Sequence, residues 1–206
     1  MRFLPTIFAK GLILTAGMVV LGISLARASL EILAQDINDN KIGNNPISFV
    51  IRYESGEVEE GSYKLPEVAT LPTNPMYGLK RVRDYFWLKL SRGINKEKLA
   101  LLMADKKTEE TRQLWRLNKS DEALMAGNEA MDKLEYANQL VLASGGNSDH
   151  VKQISKQIYM AGFAYNEVFK LGANVFDVDG QKYQNLINRN EEWNKTQKEY
   201  RWNWNN

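Results

Sequence analysis

The chain of 206 residues contains no cysteine and a single histidine, His150. Without thiolates there is no disulfide framework, thiol nucleophile, zinc knuckle or iron–sulfur cluster, and one imidazole excludes the paired Glu-x-x-His sites of di-iron bundles. An excess of one charge is missing too, with 27 Lys+Arg against 25 Asp+Glu. Residues 1–28 hold Arg2, Lys10 and Arg27 and no acidic side chain, so the remainder carries 24 basic and 25 acidic groups. A near-neutral body lacks the clustered positive field of a nucleic-acid partner. Gly-x-Ser-x-Gly, Walker-type, His-Glu-x-x-His and Gly-x-Gly-x-x-Gly signatures are all absent. The sequence therefore predicts no catalytic, cofactor-binding or metal-ligating residues, and a protein that is not an enzyme.

What is present begins with a targeting segment. Arg2 and Lys10 precede the apolar run Gly11 to Ala26. As a helix those sixteen residues span about 24 Å, short of a hydrocarbon core of roughly 30 Å, which fits the h-region of a signal peptide. Ala26-Arg27-Ala28 supplies the small-x-small pattern of a cleavage site. Counting residues 3–26 together gives the alternative, an uncleaved N-terminal membrane anchor with Lys10 at the interface. Both readings leave the N-terminus in the cytoplasm and export the body, secreted or anchored to the cytoplasmic membrane.

Residues 29–73 read as an extended lead-in. Within them Ile47, Phe49, Ile51 and Tyr53 alternate onto one face, and Glu54 to Glu57 can turn the chain into a second strand, giving a hairpin over 47–65 that needs the helices to stabilise it. From residue 74 to 206 the period becomes 3.6. Asn74-Pro75 starts a helix whose Met76, Leu79, Val82, Phe86 and Leu90 share a face, and Gly93 ends it. A second runs from Asn95 to about Leu117, with Leu99, Leu102 and Met103 at one end and Leu114 and Leu117 at the other. Its middle, Asp105 to Arg112 (DKKTEETR), is polar all round and is expected to face solvent or touch a neighbour weakly. Ser120 opens a third helix with Leu124, Gly127, Met131, Leu134, Asn138 and Val141 in register, up to Gly145-Gly146. Ser148 opens a fourth with Val151, Ile154, Ile158, Ala161, Tyr165 and Val168, up to Gly172. A fifth, polar helix carries Tyr183, Leu186, Ile187, Trp193 and Tyr200. The fold class is thus mainly α: an N-terminal signal or anchor helix, a short β-hairpin, and an antiparallel bundle of about five helices.

Leu65 to Val141 resembles a bacterial exported domain family of unknown function. The resemblance rests on Pro75-Met76-Tyr77-Gly78-Leu79-Lys80-Arg81, which fits the form Pro-[Leu/Met/Phe]-Tyr-x-[Leu/Phe]-Lys-Arg, followed by charged amphipathic helices. Such domains follow a signal peptide or a single span, and the resemblance implies export and a helical fold without assigning any residue a role. The second helix, poorer in small residues, and the Trp/Asn-rich C-terminus depart from that pattern.

Several candidate sites reduce to ordinary structure. His150 in Ser148-Asp149-His150 reads as an exposed first-turn residue, because triads are assembled from distant segments. Asp36 to Asn40 begins like a calcium loop but has Lys41 where glycine is needed and Ile47 at the closing position; Asp177 to Gly180 has Val175 in place of the first ligand. Both read as turns. Glu57, Glu59 and Glu60, and Glu109 with Glu110, read as solvated charge. The aromatic C-terminus remains: Trp193, Tyr200, Trp202 and Trp204 alternate with asparagines and can stack on sugar rings or pack on the bundle. The sequence predicts a noncatalytic envelope protein that binds a protein partner or itself, with cell-wall glycan binding by those aromatics as the alternative, and an enzyme third.

Overall fold

The computed structural model describes residues 46–53, 55–145, 148–175 and 180–202, the side chains at 175, 180 and 199–202 excepted. The signal or anchor segment expected within 1–28, including residues 3–26, Ala26 and Ala28, lies outside the described residues, as does Trp204. Two strands, β1 (Ile47–Arg52) and β2 (Val58–Tyr63), precede five helices: α1 (Tyr77–Leu90), α2 (Ile94–Arg116), α3 (Ser120–Ala143), α4 (Asp149–Val175) and α5 (Gly180–Trp202). The fold is mainly helical, as the periodicity predicts.

The hairpin forms because its alternation supplies a buried face. β1 and β2 pair antiparallel with Phe49 opposite Gly61 and Ile51 opposite Glu59. The turn is closed by the Gly56 amide donating to the Tyr53 carbonyl and the Tyr53 amide donating to the Glu57 carbonyl, each at 3.0 Å. Gly56 sits at φ +86°, a left-handed conformation that suits glycine. Phe49 and Ile51 then pack on Tyr159, Phe163 and Ala164 of α4, which is the support that a lone hairpin lacks.

Helix ends follow local chemistry. Asn74 Oδ1 accepts the Met76 amide at 2.9 Å just before α1. α2 stops at Asn118, which takes φ +56° while the Lys119 amide reaches back to the Leu114 carbonyl at 2.9 Å. Ser148 Oγ accepts the Val151 amide at the start of α4. The stripes predicted on α3 and α4 form the core: Met131, Leu134 and Val141 pack with Ile154, Ile158, Ala161, Tyr165 and Val168. Ala123, Ala126, Ala130 and Ala137, all buried, leave room for close helix packing on α3.

Three expectations are corrected. Gly172 does not end its helix; α4 runs on to Val175. The glycine there makes room for Trp115, whose ring lies so close that a Cβ would sit 2.2 Å from Cε2 and Cζ2. Trp115 is itself held against Phe169 and Tyr183, with ring centroids 6.4 and 5.8 Å away. Gly172→Ala, which helix propensity alone would favour by about 1 kcal/mol, should therefore lower the denaturation midpoint, because overpacking costs roughly 1 to 3 kcal/mol. A raised midpoint would show that the indole has room to shift.

The polar middle of α2 is also not a solvent face. Thr108, Glu109, Glu110 and Thr111 have no exposed surface and Asp105 is buried, because α2 is a central helix with α1, α3, α4 and the hairpin around it. Glu109 and Glu110 are accordingly not solvated charge, and Leu117, predicted on the buried end, is exposed. The third correction concerns α1. Met76, Leu79, Val82, Phe86 and Leu90 are all exposed, and no residue of α1 is buried. Its half-buried residues are instead Tyr77, Lys80, Arg83, Asp84, Trp87 and Leu88.

Candidate functional site

A buried polar helix must find a partner for each charge it brings inside, since an unpaired one costs several kcal/mol. The two threonines of the α2 window meet this need within their own helix. Thr108 Oγ1 donates to the Ala104 carbonyl at 3.1 Å and Thr111 Oγ1 to the Lys107 carbonyl at 2.8 Å. The charged residues divide between two sides.

Towards β2 and α4, Asp105 accepts hydrogen bonds from Tyr165 Oη at 2.6 Å and Tyr63 Oη at 3.0 Å. Burial pushes its carboxyl up to about 7, against the pull of these two donors. The hydroxyls of Tyr63 and Tyr165 are raised in turn, by burial first and by Asp105 second. The three groups tie the hairpin, α2 and α4 to one point.

Towards α1 and α3, Glu110 is the hub. Its Oε1 meets Lys80 Nζ, and its Oε2 accepts Tyr77 Oη at 2.8 Å and lies 2.9 Å from Lys107 Nζ. Lys107 extends the cluster to Glu129 of α3 at 2.6 Å and also meets Tyr77 Oη. Burial works against the Lys107 charge, but Glu110, Glu129 and Tyr77 together hold its pKa above the usual lysine value. Tyr77 is pushed up to about 12, chiefly by burial. Arg81 lies 3.8 Å from Glu129 at the exposed rim. Tyr77, Lys80 and Arg81, the polar members of the Pro75 to Arg81 segment, thus all face carboxylates of the bundle. A third pair stays within α2, where Glu109 Oε1 accepts Gln113 Nε2 at 2.9 Å. Its Oε2 lies 2.7 Å from Arg112, off the hydrogen-bonding axis, so that contact is an ion pair without a directed hydrogen bond.

Beside the Glu110 cluster α1, α2 and α3 enclose an open cleft of about 320 Å³, lined by Lys80, Arg81, Asp84, Tyr85, Leu88, Met103, Lys106, Lys107, Glu110, Glu129, Asp132 and Lys133. Lysines, an arginine and carboxylates alternate around it, and the deepest of them, Lys107 and Glu110, are engaged with each other. The carboxyl with the raised pKa, Asp105, is not among the lining residues; both its oxygens are taken in the packed interior. The arrangement does mechanical work: it fixes which face of α1 meets the bundle.

The aromatic residues singled out from sequence are not brought together as a described platform. Trp193 of α5 packs its ring over Gly162 of α4, at the edge of the main core. Tyr200 and Trp202 belong to α5, with side chains outside the description, and Trp204 lies outside it altogether. The neighbouring asparagines are partly structural: Asn194 Nδ2 donates to the Gly162 carbonyl at 3.1 Å and to Asn190 Oδ1 at 2.9 Å. His150 is exposed in the first turn of α4, as its position predicts. Among the described residues no cluster of three or more His, Asp or Glu side chains could hold a metal ion. None of their helices is long and apolar enough to cross a membrane. The calcium-loop look-alike at Asp36 to Asn40 falls outside the described residues, and so do Asp177 and Asp179.

Sequence reasoning did not find Lys107, Glu129, Tyr63 or the polar role of Tyr165. A usable signal was there: charges of opposite sign three apart in α2, Lys107 with Glu110 and Glu109 with Arg112, can neutralise one another without water. No family model, curated protein or solved structure matches the chain.

Proposed function

We propose that this is an exported or membrane-anchored, noncatalytic helical protein of the bacterial envelope that works by presenting a helix face to a partner. The observation that carries this reading is the orientation of α1. Its polar side is bolted to Glu110 and Glu129 through Tyr77, Lys80 and Arg81, while Leu79, Val82, Phe86 and Leu90 point away from the bundle. A contiguous apolar stripe left outside a well-packed core marks an interaction site. Export is supported by Arg2, Lys10, the apolar run to Ala26, and the resemblance of Pro75 to Arg81 to an exported domain family. The glycan-binding alternative rests on Trp193, Tyr200, Trp202 and Trp204, of which the last three have side chains outside the described residues.

The lack of native cysteine makes the test clean. In spheroplasts producing the full chain, Leu79→Cys should resist a membrane-impermeant maleimide while Met125→Cys, at an exposed position on α3, reacts. After purification both should react. Equal labelling of the two sites in spheroplasts would overturn the reading, and so would labelling of neither, which would mean that the body is not exported.

A further inference from the structure

Resting on that reading of the α1 face, we propose that its partner is an anionic lipid surface. Residues 77–92 carry five basic side chains and one acidic, net +4, whereas the rest of the chain beyond residue 28 has 19 basic and 24 acidic, net −5. Of these five, Lys80, Arg81 and Arg83 are paired with Glu110, Glu129 and Asp84, and Lys89 and Arg92 stand exposed at the C-terminal end of the helix. Within that helix Leu79 and Leu90 are 63% and 61% exposed, and helical spacing sets exposed Lys89 along one edge of their stripe, while Arg83 on the other edge is half-buried and bonded to Asp84. Tyr85, exposed and packed edge-on against Phe86, adds an amphipathic ring. An exposed apolar stripe bordered by Lys89 and Arg92 with an aromatic beside it is how a helix lies in the boundary between headgroups and acyl chains.

Two further observations favour lipid over a second copy of the chain. A symmetric pair would set this face against itself and bring like charges together. The face also cannot turn inward to hide, because rolling α1 would pull Tyr77 and Lys80 away from buried Glu110.

The test uses the full chain with a single cysteine, Leu79→Cys or Phe86→Cys, carrying an environment-sensitive dye. It is reconstituted into vesicles of phosphatidylglycerol and phosphatidylethanolamine, or into phosphatidylcholine alone. The dye should shift blue and resist acrylamide quenching in the anionic vesicles, and stay exposed in the neutral ones. The same dye at Leu142→Cys, exposed on α3, should respond in neither. Each cation near an anionic surface contributes about fivefold, so Lys89→Glu with Arg92→Glu should lower the ratio of docked to undocked protein by roughly 25-fold or more. Equal responses in the two lipids, or none in either, would overturn the proposal. Shielding in detergent together with the mass of a dimer would overturn it in favour of a second copy. Failure in vesicles combined with shielding of Leu79→Cys in spheroplasts would remove the lipid and leave the α1 face as a protein site; exposure in both would remove both readings.

Discussion

Glu110→Gln should destabilise the protein by about 3 kcal/mol or more, the usual range for breaking a buried ion pair from one side. The substitution preserves shape and an acceptor for Tyr77 but leaves Lys107 and Lys80, only 12% and 14% exposed, without their shared anion. Lys107 retains Glu129, which keeps the loss from being larger. Chemical denaturation measures the total, and hydrogen exchange should show α1 amides opening first, because Tyr77 and Lys80 are its main ties to α2. Replacing both charges, Glu110→Leu with Lys107→Met, should recover most of the loss, since an apolar pair of similar volume needs no compensation. Lys80 can then follow its own stem out to solvent. A Glu110→Gln protein as stable as the parent would mean that water reaches the cluster.

The second large effect is a dependence on pH. Because burial raises the Asp105 carboxyl from its ordinary 3.8 to about 7, the folded protein holds a proton there that the unfolded chain has released. Stability from this group is therefore fully present below about pH 4 and is lost as pH rises towards 7, at up to 1.4 kcal/mol per unit. Asp105→Asn has no proton to lose. Relative to the parent it should gain stability steadily between pH 4 and 7, reaching on the order of 4 kcal/mol, while the titration of every other carboxylate cancels in the difference. Parallel stability curves for the two proteins would show that the Tyr63 and Tyr165 donors keep Asp105 ionised throughout.

The parts of the fold legible in the sequence are those where an apolar stripe has one place to go. The face of α4 could be read residue by residue and that of α3 in part, since Leu124 and Asn138 are half-buried while Ala123, Ala126, Ala130 and Ala137 share the buried side; the alternation of Ile47 to Tyr53 identified the strand that docks on Tyr159 and Phe163. The stripe on α1 was equally visible and its direction was not. Periodicity reports that a helix has an apolar face; which face meets the bundle was decided by Tyr77 and Lys80 finding Glu110, a partner 30 residues or more away in sequence. The window Asp105 to Arg112 was misread for a related reason. Polar all round ordinarily means solvent all round, and only the partners contributed by α1, α3, α4 and β2 make a buried position tolerable. Gly172 looked like a stop because its real neighbour, Trp115, is 57 residues earlier.

Much of the centre of this bundle is written in charge, and that shapes the route by which it is assembled. Before its neighbours arrive, the middle of α2 offers water lysines, glutamates and threonines instead of leucines, so a half-built chain has little there for another half-built chain to adhere to. Its pairings become favourable only together: Glu110 needs α1 and α3 in place, and Asp105 needs the hairpin and α4. Partial assemblies should consequently be sparse and poorly adhesive.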